Sequence, residues 1–416
     1  IDKFIWGLRA SGFRATNIIL HALTCIMFYI ILRKLKFSQM FSFLGVLMYA
    51  IHPAHIGSVA YISGRTDILR TLFMLISFLS YYDGKLIPSF VFCICAFISK
   101  EDAAVLPVIL LFSDIILKKR YSLRIFPFLI LMPLYLIFRR YFLNTDDFAL
   151  VPTDFLYYAT IAKSFFAYLK ILFLPYSLHF EKFYPVETSF IQGIGYIIVF
   201  LAFLIFLIKA SLKKPIALFA LISFFLVFLP VSNIIPIYPK LSKKYIFLAD
   251  HFLYMPYVFV LIFIFDFVAR SGLLASKMLK LIYIAFNSIF LLFFFYNIPV
   301  WKNEEVFYKD IIKKSCFPLR AYNNLASYYG RRGDVRCLVY LEKLKALMEK
   351  DYIYYYIIKT HWHYFQEKNI EKAIQTIEQG IENGAKHPIL YFIAGDLYFE
   401  KGEKRKAIIY YENGLQ

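Results

Sequence analysis

Charge is what this chain has least of. Only 18% of its 416 residues are charged, and the acidic side is the shorter, with 28 Asp and Glu against 47 Lys and Arg. In their place stand 60% hydrophobic and 20% aromatic residues. Soluble domains sit near half apolar, so this balance excludes an ordinary water-soluble core. The formal net charge of +19 would suggest nucleic acid if the chain were soluble. Here the basic residues fall mostly in short loops between apolar runs, where orientation in a bilayer accounts for many of them. No nucleic-acid partner is expected. Cysteine is scarce too, with five residues. Cys25, Cys93 and Cys95 lie inside apolar runs and behave as small hydrophobes. Cys316 and Cys337 lie in a polar tail and would pair only in an oxidising compartment.

Apolar runs are what is abundant. They cover residues 17–35, 39–51, 67–82, 86–98, 103–117, 123–138, 155–174, 191–208, 215–229, 252–268 and 278–298. About 20 apolar residues span the roughly 30 Å hydrocarbon layer, so a polytopic membrane helical bundle is expected over residues 1–300. Basic clusters mark the cytoplasmic ends of spans. They are Arg33, Lys34 and Lys36; Lys85; Lys118, Lys119, Arg120 and Arg124; Lys209, Lys213 and Lys214; and Arg270, Lys277 and Lys280. All of these lie on one side if run 155–174, with Lys163, Lys170 and many tyrosines, stays in the interface or re-enters. Then "HPAHIGSVAYISGRTD", "SKED", "FRRYFLNTDDF", "LHFEKFYP", "ADHFLYMP" and everything after Trp301 share the outer face.

The tail reads differently. Tyr364 and Tyr398, Ala373 and Ala407, and Gly380 and Gly414 are each 34 residues apart. A 34-residue period with small residues inside each helix is the tetratricopeptide signature. The expected architecture is therefore all-α: the membrane bundle, a linker at 301–318, and about three tetratricopeptide repeats at 319–416. The array reaches Gln416 without a polar capping helix, so further repeats are expected in a longer chain.

Ionisable groups at membrane depth cost ~2.5–3.5 kcal/mol or more each, so every one needs a partner or a wet cavity. His52 and His55 flank Pro53 at the outer end of a span, and a polar cap at the interface is the plain reading of either. Arg65 and Asp67 are spaced for Asp67 to cap the next helix while Arg65 pairs with it. The functional reading turns Arg65 toward a phosphate, which guanidinium binds in a bidentate way. Lys100, Glu101 and Asp102 interrupt a long apolar stretch with a fully charged turn, which favours a cavity floor over a bare hairpin. Arg139 and Arg140 end a span on the outer side against the charge rule, with Asp146 and Asp147 close by to neutralise them. Asp250 and His251 open another span ahead of Tyr254, and Asp250 reads plainly as a helix cap. His52, His55 and His251 lack ligand spacing on one helix face, so no metal site is assigned. Whether a divalent metal takes part is left open by the residues.

The stretches "NIILHALTC", "AIHPAHIGSVAYISGRTDIL", "ISKEDAAVLPVILLFSD" and "FLYMP", followed by Trp301, Glu304 and Glu305 ahead of the repeats, occur in this order. In this the chain resembles the transmembrane and tetratricopeptide-repeat O-mannosyltransferases, membrane glycosyltransferases of the GT-C superfamily, in a bacterial form. The resemblance implies a multi-pass protein of a bacterial inner membrane with its repeats outside. It implies a polyprenyl-phosphate sugar as donor, with no cofactor assigned beyond it and a divalent metal left open, and inverting transfer to a protein or other acceptor that the repeats recruit. Arg65, Lys100, Arg139, Arg140 and His251 would face the lipid phosphate. His52, His55, Asp102, Asp250 and Tyr254 would complete the outer-face motif.

Three places depart from that family's pattern. Gly57 stands where an acidic residue usually follows the second histidine. Asp250–His251 replaces Glu-Arg, and a neutral imidazole is a weaker phosphate ligand than guanidinium. The first outer loop, within which Ile1 falls, holds only Asp2. The chain is accordingly expected to be part of a longer one whose principal general base lies upstream, leaving Asp67 and Glu101 as second choices. Two other functions fit the composition: a non-catalytic membrane scaffold, and a transporter for a lipid-linked sugar. The transporter would call for Gly- or Pro-broken spans in two related halves, and no such symmetry is visible.

Overall fold

The computed structural model describes residues 2–119, 122–142, 154–237, 244–270, 277–348, 352–385 and 387–415. They form two compact units, Ile1–Pro299 and Val300–Gln416. The first is a helical bundle with one small hairpin. In chain order it comprises α1 (Asp2–Trp6), α2 (Ala10–Lys34), α3 (Gln39–Ile51), α4 (Ile56–Ala60), α5 (Arg65–Tyr82), α6 (Leu86–Ser99), α7 (Leu106–Phe112), α8 (Phe126–Phe142) and α9 (Phe155–Phe173). Then come β1 (Lys182–Pro185), α10 (Phe190–Ser211), α11 (Pro215–Phe228), β2 (Tyr245–Leu248), α12 (Pro256–Arg270) and α13 (Lys277–Asn297).

Among the described residues four helices are long and apolar enough to cross a membrane: Ala10–Lys34, Leu123–Phe142, Phe190–Ser211 and Lys280–Trp301. A fifth is possible if the bent pair Gln39–Ile51 and Pro53–Ala60, which turns by 51°, counts as one span. The break is at Pro53, which lacks the N–H that would continue the α3 ladder. Eleven apolar runs thus yield fewer full-length spans than runs, because Pro53 and the charged turn after Ser99 divide the chain into shorter rods. On α10 Ile191, Ile198, Val199, Leu201, Ile205 and Phe206 are all exposed. An apolar face that large belongs against lipid, not water. This is a membrane protein.

The interior is built by α2, α5, α6, α11 and α12 around Phe28, Ile31, Ile68, Phe219 and Val258. Between α5 and α6 two buried serines allow a close approach. Ser77 Oγ donates to the Ser89 carbonyl at 2.8 Å and Ser89 Oγ donates to the Ser77 carbonyl at 2.9 Å, as small hydroxyl residues do between membrane helices. The run expected to lie in the interface, 155–174, is a 19-residue helix opened by Asp154, whose side chain accepts from the Leu156 N–H. One face of it, including Tyr157, Ala162, Phe165 and Tyr168, is buried against the rest of the bundle. Strands β1 and β2 pair antiparallel, with Phe183 opposite Phe247. Asn233, at φ 65°, holds β2 through both amide atoms: Nδ2 donates to the Phe247 carbonyl and Oδ1 accepts from its N–H.

The second unit contains α14 (Glu304–Lys314), α15 (Leu319–Gly330), α16 (Arg336–Lys345), α17 (Ile353–His361), α18 (Ile370–Glu382), α19 (Pro388–Glu400) and α20 (Lys404–Leu415). Helices α15 to α20 pack as three successive hairpins. Residues 301–318, expected as a linker, are helical over α14, whose Tyr308 and Ile312 pack on the core formed by Leu325, Tyr329, Cys337 and Leu341. The residues spaced by 34 occupy matching places. Ala373 and Ala407 are both buried, and Gly380 and Gly414 each meet an aromatic of the helix before, Tyr356 and Tyr391 respectively. Cys337 is buried and Cys316 exposed, and neither is in a disulfide. The pairing considered for them is absent, and burial pushes the Cys337 thiol up to about 12.

Candidate functional site

Helices α3, α5, α6, α8 and α12 bring most of the singled-out residues to one end of the first unit. At its centre is a buried network of four charges. Lys100 Nζ donates to Asp67 Oδ1 at 2.7 Å and lies 3.9 Å from Asp102 Oδ2. Arg70 Nη1 bonds the same Asp102 oxygen, and its Nη2 stands 3.8 Å from Asp67 Oδ1. Two cations and two carboxylates cancel, which is how a low-dielectric interior tolerates them. The local sequence explains the arrangement. Asp67 and Arg70 are three residues apart on the first turns of α5 and so share a face. Lys100, extended at the end of α6, and Asp102, in the 3-10 turn Glu101–Val105, then close over that face.

The pairing differs from the expected one. Arg65 does not pair with Asp67. It bonds the Asp2 carboxylate, donates from Nε to Asn17 Oδ1 at 3.0 Å and from Nη2 to the Phe13 carbonyl at 3.3 Å. Asp67 does not cap α5, whose N-cap is Gly64; its carboxylate belongs to the network. Glu101 points away from the network and pairs with Arg139 at 3.4 Å, with its own side chain 53% exposed. Arg139 therefore finds its counter-charge on the neighbouring turn, while Asp146 and Asp147 lie outside the described residues. Arg140 ends α8 beside it. Asp250 caps no helix either; its carboxylate accepts from the His179 N–H and its own N–H donates to the His179 carbonyl at 3.0 Å. His251 stacks on Phe180 at 4.8 Å, and the Lys100 ammonium lies 5.4 Å over the Phe252 ring.

The histidines belong to an aromatic cluster beside the network. His52 commits both nitrogens to backbone: Nδ1 accepts from the Ala54 N–H, so Nε2 carries the proton and donates to the Leu172 carbonyl at 3.1 Å. His55 donates from Nδ1 to the Tyr49 carbonyl at 2.8 Å, which leaves its buried Nε2 an acceptor without a hydrogen-bond partner. Buried Tyr254 contacts His55 at 4.7 Å between ring centroids and bonds His21 Nδ1 through its hydroxyl at 2.6 Å. Because His52 and His55 face inward onto backbone, they are not presented with His251 as a shared ligand set. Among the described residues no three His, Cys, Asp or Glu side chains are grouped to hold a metal.

Two parts of the site escaped the sequence reading. Arg70 is the network's most deeply placed cation, and its signal was the single basic residue inside the apolar run 67–82. His21 sits inside α2, and only a chain neighbour more than two hundred residues away reveals its role. At the far end of α5 a second buried charge, Asp114, is held by Arg124 Nη2 at 2.9 Å and the Tyr81 hydroxyl at 2.7 Å. It lies among the basic clusters rather than at the site.

These features define a helical membrane protein with a buried, charge-balanced ionic network and a rim of cations at one end of its bundle. Part of the chain is similar to protein O-mannosyl-transferases. Human TMTC1 is 39% identical over 82 residues, which are 20% of this chain and 9% of that protein. Human TMTC4 is 35% identical over 88 residues, 18% of this chain and 12% of that protein, and the Drosophila melanogaster Tmtc1 is 29% identical over 104 residues, 23% and 12% respectively. The match thus covers about a tenth of the length of these curated relatives. No protein-family model and no solved structure matches the chain.

Proposed function

We propose that this chain is the body of a membrane glycosyltransferase that moves a sugar from a polyprenyl-phosphate donor to a protein hydroxyl on the outer face of a bacterial inner membrane. Its repeats, read as tetratricopeptide units, recruit the acceptor. The observation that carries the reading is the rim of partly open cations, Arg65, Lys100 and Arg139, around a buried network that fixes one of them in place. Their side chains are 23%, 19% and 20% exposed, against 4% for Arg70. On this reading the three part-exposed cations, each already steadied by a carboxylate, turn their remaining N–H groups to phosphate oxygens, and Arg70 acts as the positioning residue that holds Asp67 and Asp102. The similarity to named O-mannosyl-transferases supports transfer to protein.

In the inverting reaction the acceptor oxygen attacks the anomeric carbon as the bond from that carbon to the phosphate oxygen breaks. The electron pair leaves with the polyprenyl phosphate, whose charge the cations stabilise. The acceptor proton must pass to a carboxylate. Asp67, paired on its Oδ1 by Lys100, is poorly suited to receive it. Glu101, half-exposed and held by a single arginine, is the better placed of the two within this chain.

Sugar transfer from polyprenyl-phosphate mannose to a serine- and threonine-rich peptide by the purified, reconstituted protein tests this. Lys100→Ala should lower turnover by about 100-fold or more, while Lys34→Ala, which breaks an exposed pair with Asp83 at 2.9 Å at the other end of the bundle, should leave it unchanged. Wild-type activity that survives Lys100→Ala would remove the phosphate role. A longer native chain that transfers no sugar from any prenyl-phosphate donor would favour the scaffold.

A further inference from the structure

On the lipid-facing side of the first unit a groove of about 520 Å³ runs between α3, α9, α12 and α13. Its walls are almost wholly apolar, with Leu44, Val268 and Phe286 among them. One end is closed by Tyr257 and Phe290, both packed on His52 at ring distances of 4.2 and 4.7 Å. His52 has committed both nitrogens, so that end offers no imidazole to a headgroup. The hydroxyl of Tyr283, another lining residue, donates to the Leu44 carbonyl at 3.0 Å and ties α13 to α3. At the other end the groove is lined by Lys280, which is exposed and has no ion-pair partner among the described residues.

We propose that this groove holds one acyl chain of an anionic glycerophospholipid, whose phosphate is bound by Lys280. Three observations select that occupant. Tyr257 and Val268 line the groove eleven residues apart on α12, which is about 16 Å of helix rise. That is close to half of the roughly 30 Å hydrocarbon layer, so the groove has the depth of one leaflet. A polyprenyl chain is much longer and would have to continue past the closed end. Finally, Lys277 and Lys280 stand one turn apart at the start of α13, where the helix macrodipole favours anions and disfavours cations. Both mark the cytoplasmic end of a span, and Lys280, the one of the two that lines the groove, is the one set to meet a lipid phosphate at the membrane surface. The site lies apart from the ionic network and does not rest on the glycosyltransferase reading.

The test uses the full chain, purified and delipidated in detergent. It is mixed with equimolar phosphatidylglycerol and phosphatidylcholine, and the lipids retained are counted by native mass spectrometry. Phosphatidylglycerol should be retained over phosphatidylcholine by about fivefold. Lys280→Gln, at an exposed position where folding is not at risk, should bring the two lipids to parity. Leu44→Trp, which fills the groove, should lower retention of both. Equal retention by the wild type, or a preference that survives Lys280→Gln, overturns the proposal. So does a long-chain polyprenyl phosphate that displaces phosphatidylglycerol one for one, which would assign the groove to that lipid instead.

Discussion

Arg70 touches two carboxylates and is itself 3% exposed, so its charge has no route to water. Removing it leaves Asp67 and Asp102 to share Lys100 in a low-dielectric interior. Breaking a buried ion pair by deleting one partner costs about 3–5 kcal/mol, so Arg70→Met should destabilise the protein by that order in detergent unfolding experiments. Arg70→Met combined with Asp102→Leu removes cation and anion together. It should be markedly more stable than the single variant, and the Asp102→Leu single variant closes the cycle that measures their coupling. A double variant as unstable as the single one would show that the arginine acts through packing instead.

The same residue shows how far one sequence can be read. Asp67, Lys100 and Asp102 were legible as charges in an apolar context, because desolvation makes any such charge conspicuous. Their partners were not. Arg65 stands two residues from Asp67 in the chain, yet it bonds Asp2, while Asp67 bonds a lysine 33 residues away. Spacing along the chain fixes which residues share a helix face, but not which other helix will cover that face.

At the scale of elements, small residues decide how closely helices approach. Gly380 in α18 is backed by Tyr356 of α17, and an added Cβ would lie 2.7 Å from the tyrosine Cγ. Gly380→Leu should therefore cost about 1–3 kcal/mol through overpacking, read as a lower denaturant midpoint of the repeat unit. Gly195 in α10 has nothing within 4 Å of an added Cβ. Gly195→Ala should be neutral or slightly stabilising, because alanine is the better helix former. The 34-residue period foretold both Gly380 and Gly414 as packing positions. It did not foretell that α14, read as a linker, would join the same core, because Tyr308 and Ile312 belong to no repeat of that period.

At the scale of the molecule, the pH dependence of the second unit can be read from its surface carboxylates. In the second, a hydrogen bond from Lys309 holds the Glu305 carboxyl below the usual range, Arg336 does so for Asp334, and Lys401 and Lys406 do so for Glu403. Each folded-state value is depressed, so the stabilisation is present above the unfolded value of about 4 and is lost as pH falls through the lower folded one. The groups are solvent-exposed, so each effect is modest and screened by salt. Helicity of the repeat unit, followed by circular dichroism, should hold from pH 7 to about 5 and decline below about 4, with a smaller decline at high ionic strength. A loss beginning near pH 6 would point to histidine rather than to these carboxylates.

The sequence by itself determined that this protein lives in a bilayer, that its tail is a run of helices repeating every 34 residues, and that a few charges sit where charges are costly. Those features follow from local physics: the transfer of apolar side chains out of water, the helical period, and the price of desolvating an ion. Only the tertiary structure decided that Arg70 organises the site, that Glu101 opens outward while Asp102 turns in, and that His52 and His55 face backbone carbonyls rather than the surface. Those outcomes depend on helices distant in the chain meeting at one end of the bundle. In a dry interior, each charge takes whichever partner that packing brings within reach.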